Sequence, residues 1–272
     1  MGRGGGTGSG FTDADRKKLE TVLSTVKTVK DEFSSVKTLL KRAVEVIDFQ
    51  AKHIGALYSE LNRCNYRNDA LNQYGRKEAV LANGLNPDIH GSDPEKIMLE
   101  MAEEIEAKAK DKDGESIKIE MSKKHIQRCH FIGDSKKKLV CKFIPYRIRM
   151  KILLNKRVIN GATSGKYKDV FISEHLTPMR SRLIWYMKKK CTTKFSKIHS
   201  RDGVIKTKIE GADSATDPWI SITNPDDLFP HLDEDDEFNI EDFNEHLHGM
   251  QIMPDLPDYE PLSGLVDFSL DS

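Results

Sequence analysis

The 272-residue chain is 32% charged and 38% hydrophobic, with 43 Lys plus Arg against 43 Asp plus Glu and a formal net charge of zero. No apolar run reaches the length of a membrane-spanning helix, so no membrane partner is expected. Cys64, Cys129, Cys141 and Cys191 show no paired spacing, which argues against a disulfide framework or zinc knuckle and fits a reducing compartment.

The zero net charge conceals two blocks. Residues 226–272 hold 15 Asp plus Glu and no Lys or Arg, leaving 43 basic and 28 acidic side chains on the rest of the chain. Residues 134–210 alone carry 21 basic against 5 acidic side chains, a net of +16. A basic middle joined to an acidic end points to interaction surfaces rather than to a particular fold.

In chain order, residues 1–11 read as a flexible Gly-rich leader without a secretory apolar region. Residues 12–72 read as a coiled-coil oligomerisation segment. Two series interleave at seven-residue spacing: Leu19, Val26, Phe33, Leu40, Ile47, Ile54, Leu61, Asn68, and Val22, Val29, Val36, Ala43, Gln50, Leu57, Cys64, Leu71. Only Gln50 and Asn68 are polar, and a stripe kept at a mean spacing of about 3.5 residues imposes a supercoil. The chain is therefore expected to be a homo-oligomer, with two versus three strands left open by the residues.

Residues 73–160 read as one α+β domain. Ala79–Ala82 suits a strand, and Asp93 or Ser92 can cap a helix whose inward positions are Ile97, Met98, Met101, Ala102 and Ile105. Strands follow over 126–132 and 139–144, then a helix over 147–155, then a strand at Val170-Phe171-Ile172. The order β-α-β-β-α-β is that of a ferredoxin-like sandwich, the layout of RNA-recognition motifs. A small α+β C-terminal domain is expected over 161–228. In it, Thr177 and Pro178 open a basic helix, and strands over 195–198 and 204–209 join across Asp202-Gly203. Residues 229–272 interleave acid clusters with Phe238, Phe243, Leu247 and Tyr259, lack the apolar area to fold alone, and are expected to be disordered.

Three segments carry a family resemblance. Asn72-Gln73-Tyr74-Gly75-Arg76-Lys77-Glu78 follows the coiled coil. Ile126-Gln127-Arg128-Cys129-His130-Phe131-Ile132-Gly133 precedes Leu139-Val140-Cys141-Lys142-Phe143, and Val170-Phe171-Ile172-Ser173-Glu174-His175-Leu176-Thr177-Pro178 leads into a basic helix and an Asp-Gly hairpin. In this order they resemble the nucleic-acid-binding first-frame proteins of LINE-type retrotransposons and the related FP-type proteins of baculoviruses. The chain departs from that pattern at Glu78-Ala79, where the family often has Asn. The resemblance implies a parallel coiled coil, trimeric in the LINE branch, an RNA-recognition-motif fold, and a small domain closing on single-stranded nucleic acid. It also implies ribonucleoprotein packaging in the cytoplasm and strand-annealing chaperone activity. By motif, Arg76, Lys77, Arg128 and Lys142 are implied to contact the strand.

Charge adds the remaining candidates. Lys137, Lys138, Arg147 and Arg149 cluster with Lys142 around the third strand and the following helix, and Arg180, Arg182, Lys188 and Lys189 lie on the next domain. Lys188-Lys189-Lys190 could also serve as a nuclear-import signal. In the strands that stack bases in RNA-recognition motifs the residues are Leu81, Leu139 and Cys141, with Phe143 the one aromatic, so stacking is expected to be weak and charge to dominate. Asp233–Glu237 reads as a solvated run rather than a metal site. No phosphate-cradling loop, metal spacing or nucleophile–base set is evident, so neither an enzyme nor a cofactor is expected. Single-stranded RNA or DNA is the expected partner, together with the chain itself. The rival reading is a viral or host coiled-coil scaffold of the same fold, acting through protein contacts.

Overall fold

The computed structural model describes residues 12–211, 216–232, 238–245, 247 and 252–253. The Gly-rich leader, the acid run Asp233–Glu237 and the stretch beyond Met253, with Tyr259, lie outside the described residues. The chain divides into two units, one of residues 1–61 with 254–272 and the other of residues 62–253.

Helix α1 (Asp13–Arg76) is a single α-helix of 64 residues. Asp13 and Asp15 in its first turn oppose the positive end of the helix dipole, and the Thr12 hydroxyl donates to Asp15 Oδ2 at 2.6 Å. That bond holds the Asp15 carboxyl below its usual pKa. The heptad stripe lies open along the first unit, with Leu19 52%, Phe33 58% and Leu57 67% exposed. The helix runs past residue 72, the expected end of the coiled-coil segment, with Gly75 inside its last turn. A glycine there costs the helix about 1 kcal/mol, too little to end it.

In the second unit, β1 (Ala79–Asn83), the one-turn α2 (Pro87–His90) and α3 (Pro94–Lys108) follow α1. Next come β2 (Ile126–Ile132), β3 (Lys138–Phe143), α4 (Tyr146–Asn155), the short α5 (Arg157–Asn160) and β4 (Phe171–Glu174). The four strands form an antiparallel sheet in the order β2-β3-β1-β4. The α+β class and the antiparallel sheet agree with the sequence reading. Asp93 caps α3 as expected, its carboxylate accepting from the backbone of Glu95 and Lys96, with Pro94 at the first position. Val80, Ala82, Leu139, Cys141, Phe143 and Ile172 turn one sheet face into a core with Ile97, Met101 and Ile105 of α3 and Ile148 and Ile152 of α4. On the outer side of β4, the Asn160 amide bonds both backbone groups of Ile172 at 2.6 and 2.8 Å, so that part of the edge is occupied.

The chain continues through α6 (Pro178–Lys189) into β5 (Phe195–Arg201), β6 (Val204–Ile209) and β7 (Ile220–Ile222), which form a second antiparallel sheet in that order. Thr177 caps α6 through the amide of Arg180. Asp202 and Gly203 both have positive φ, 54° and 84°, as a two-residue hairpin turn of the primed type requires.

The second core takes in part of the tail that was expected to be mostly disordered. A last helix, α7 (Ile240–Asn244), is capped by Asn239. Phe243, Leu247 and Ile252 are buried with Leu183, Met187, Phe195 and Ile222, and Phe238 packs against them. Asn244 bonds both backbone groups of Ile252 (2.7 and 2.9 Å), and Asn62 of α1 does the same for Met253 (3.0 and 2.8 Å). An acidic segment too poor in apolar residues to fold alone completes a core whose other side is already built.

Candidate nucleic-acid interface

Successive strand residues point to opposite faces, so the core side of the four-stranded sheet fixes what its other face presents. Paired register assembles three rows there. One row crosses all four strands as Phe171, Asn83, Lys138 and Ile132. The next is Ser173, Leu81, Val140 and His130, and the third is Ala79, Lys142 and Arg128. Phe171 is 53% exposed and Ile132 40%, so this face offers an open aromatic ring and an open aliphatic side chain among cations.

The sequence-derived residues divide into groups. Arg128, Lys138 and Lys142 lie on the open face, and Lys137 is exposed in the loop just before β3. Lys142 Nζ meets Glu78 at 3.3 Å, a half-exposed pair that solvent weakens. Lys77 Nζ sits 4.0 Å from the Tyr74 ring centre. Arg76 is half-buried; its Nη1 donates to Leu176 O at 3.0 Å and lies 3.2 Å from His175 Nε2. Burial, with smaller contributions from Arg76 and His130, pushes the His175 pKa down to about 4. His130 Nδ1 is buried without a hydrogen-bond partner among the described residues. Arg147, Lys188 and Lys189 are exposed.

Three arginines depart from expectation. Arg149 is 1% exposed; its Nη2 donates to Glu174 Oε1 at 2.7 Å and its Nη1 to Asp202 Oδ1 at 2.8 Å. Arg180 donates from Nε to Asp69 Oδ2 and from Nη1 to Gly203 O, both at 2.8 Å. Arg182 bonds the backbone carbonyl and the carboxylate of Asp242, and its guanidinium lies 3.8 Å from the Trp185 ring centre. A charge this buried must be paired, so these three hold the fold together instead of facing phosphates.

The same contacts tie the second sheet to the first. Glu174, at the end of β4, accepts from the backbone of Asp202 (2.7 Å) and of Gly203 (3.2 Å), while the Tyr146 hydroxyl donates to Asp202. Gln73 of α1 accepts from Thr177 N and donates to His175 O. A Cβ on Gly203 would come within 2.5 Å of Gln73. The hairpin turn is thus seated among α1, α4 and β4.

Lys156, at the junction of α4 and α5, has its pKa lowered by burial first and by Lys188 and Arg157 next, with Glu174 opposing.

Sequence reasoning missed Phe171, Asn83, His130 and Ile132. Phe143, named there as the aromatic candidate, is buried on the opposite face. Phe171 lies in the unbroken apolar run Val170–Ile172, where alternation is hidden; only the register of β4 against β1 sets it outward. Among the described residues no group of three His, Cys, Asp or Glu side chains could hold a metal ion, and no helix is long and apolar enough to cross a membrane. No family model matches the chain, and no curated protein matches its sequence.

Proposed function

We propose that this protein coats single-stranded nucleic acid, RNA in the first instance, through the open face of the four-stranded sheet. The observation that carries the reading is the row Phe171–Asn83–Lys138–Ile132, an exposed ring aligned with a polar amide, a cation and an aliphatic side chain. Beside it lie Arg128 and Lys142. Aromatic faces stack on any base, and lysine or arginine neutralises any phosphate, so the surface is largely indifferent to sequence. The β-α-β-β-α-β order with strands 2-3-1-4 suits an RNA-recognition-motif fold, with a small α+β domain following it. Lys188 and Lys189 extend the cationic surface onto that domain.

The exposed stripe of α1 supports self-association in parallel, with a trimer favoured by the LINE-type resemblance. Each chain then contributes one weak site, and linking the sites raises avidity without new contacts. Such a coat is suited to packaging RNA into a ribonucleoprotein and to promoting strand annealing. The scaffold reading draws on one observation: Arg149, Arg180 and Arg182 are spent internally, which trims the free basic face.

Fluorescence anisotropy of a labelled single strand of about 40 nucleotides, over a salt series, tests the proposal. Removing Phe171 (Phe171→Ala) lowers affinity by about 5- to 150-fold, the equivalent of about 1–3 kcal/mol for one stacked base, and leaves the salt slope unchanged. The double variant Arg128→Ala/Lys138→Ala reduces that slope by about 0.7 for each phosphate no longer neutralised. No binding at low salt would favour the scaffold.

A further inference from the structure

Beneath the open face, β2 and β3 bring two cysteines together. Cys129 and Cys141 are directly opposed in the antiparallel ladder, and both turn toward the core. Directly opposed residues in such a ladder have Cα atoms about 4.5–5.5 Å apart, inside the roughly 4.4–6.8 Å window of a disulfide. The two remaining cysteines are elsewhere: Cys64 is exposed on α1 and Cys191 is buried in the second core. Cys129 is half-buried and Cys141 fully buried. The Cys129 thiol donates to Pro94 O at 3.3 Å, at the start of α3.

We propose that Cys129 and Cys141 form a redox pair that closes into a cross-strand disulfide when the protein meets a peroxide. Cys129 is the more accessible sulfur and reacts first. Its sulfur attacks the peroxide, the O–O bond breaks, one water leaves and a sulfenic acid forms. Cys141 then attacks that sulfur, the S–O bond breaks, the S–S bond forms and a second water leaves. Two thiols are oxidised by two electrons in all, and one hydrogen peroxide is reduced to two waters. The neighbouring Cys129 thiol and burial both raise the Cys141 pKa, so its thiolate is scarce and the second step is the slow one.

The position gives the bond a consequence. Arg128 and His130 flank Cys129, and Val140 and Lys142 flank Cys141, all four on the opposite face of the sheet, where Arg128 is exposed and Val140 buried. A disulfide here pins the edge strand β2 to β3 immediately under two of its cations. The inference does not depend on nucleic-acid binding, and nothing in its test does either.

The full chain is treated with hydrogen peroxide, unfolded, alkylated with iodoacetamide and mapped by mass spectrometry without reduction. The expected result is one linked species joining the Cys129 and Cys141 peptides, lighter than their sum by two hydrogen atoms and released by dithiothreitol. Cys191 stays alkylated throughout. In Cys141→Ser, Cys129 proceeds to sulfinic acid because no resolving thiol is present. Cys129 reaching sulfinic acid in the unaltered chain while Cys141 remains alkylated would overturn the proposal, as would disulfides found only through Cys64. Because the unaltered chain decides between these outcomes, a variant that fails to fold does not blunt the test.

Discussion

Changing Glu174 to Gln removes a charge from the middle of the junction while keeping nearly the same volume. Arg149 and Glu174 have side chains only 1% and 5% exposed, so the pair lies in low dielectric. Deleting one partner of such a pair leaves the other uncompensated, at about 3–5 kcal/mol. Asp202 also reaches Arg149, but at 37% exposure it offsets only part of that loss. The turn amides of Asp202 and Gly203 are also left sharing a weaker acceptor. The expected loss is therefore about 3 kcal/mol. With an m-value of about 2 kcal/mol/M in urea, the unfolding midpoint falls by about 1.5 M. Followed by circular dichroism, Glu174→Gln should shift the midpoint and leave the slope unchanged. Arg149→Met added to Glu174→Gln should cost less than the two separate losses summed, because the stranded charge is removed with its partner. A shift below about 0.3 M, or strict additivity, would refute the assignment of this pair to the junction.

His175 provides a pH signature. Its folded pKa of about 4 lies below the ordinary value of 6.5, so the unfolded chain binds the proton first. Stability from this group is fully present above the unfolded value and is lost as pH falls from about 6.5 toward 4. An NMR titration should find the ring neutral at pH 5.5, and Arg76→Ala should raise its pKa. Phe243→Ala should cost about 3–5 kcal/mol, read as a melting-temperature drop of about 10 °C, because the ring is fully buried in the second core. Replacing Leu40 and Ile47 by Asp should reduce the mass measured by light scattering to that of one chain, and an unchanged mass would remove the stripe from the assembly interface.

The elements were legible because their signals are local. Heptad spacing gave α1, the caps Asp93 and Thr177 gave the starts of α3 and α6, and Asp-Gly gave the second hairpin. The ion pairs were not legible, because their partners are remote. Arg149 and Arg180 find Glu174 and Asp69 at separations of 25 and 111 residues. An arginine inside a basic stretch reads as surface when nothing nearby opposes it. One signal was present: residues 134–210 contain only 5 acids, and Glu174 and Asp202 are two of them. Glu174 accepts the amides of the Asp202-Gly203 turn. Phe238 to Ile252 were misjudged because the tail was weighed as an isolated segment. Removing residues from 229 onward would take Phe243, Leu247 and Ile252 out of the second core.

The seated turn also bears on how the chain is made. Asp69, Gln73, Arg149 and Glu174 all leave the ribosome before Asp202 and Gly203, and their final partners include atoms of that turn, of α6 or of its cap Thr177. A nascent chain ending near residue 190 would hold Glu174 and Arg149 without the hairpin that covers them. Maturation then includes the capture of a late-emerging turn by residues made long before it. Synthesis that stalls in β5 leaves an unlocked first sheet, open to proteolysis and to pairing with other chains.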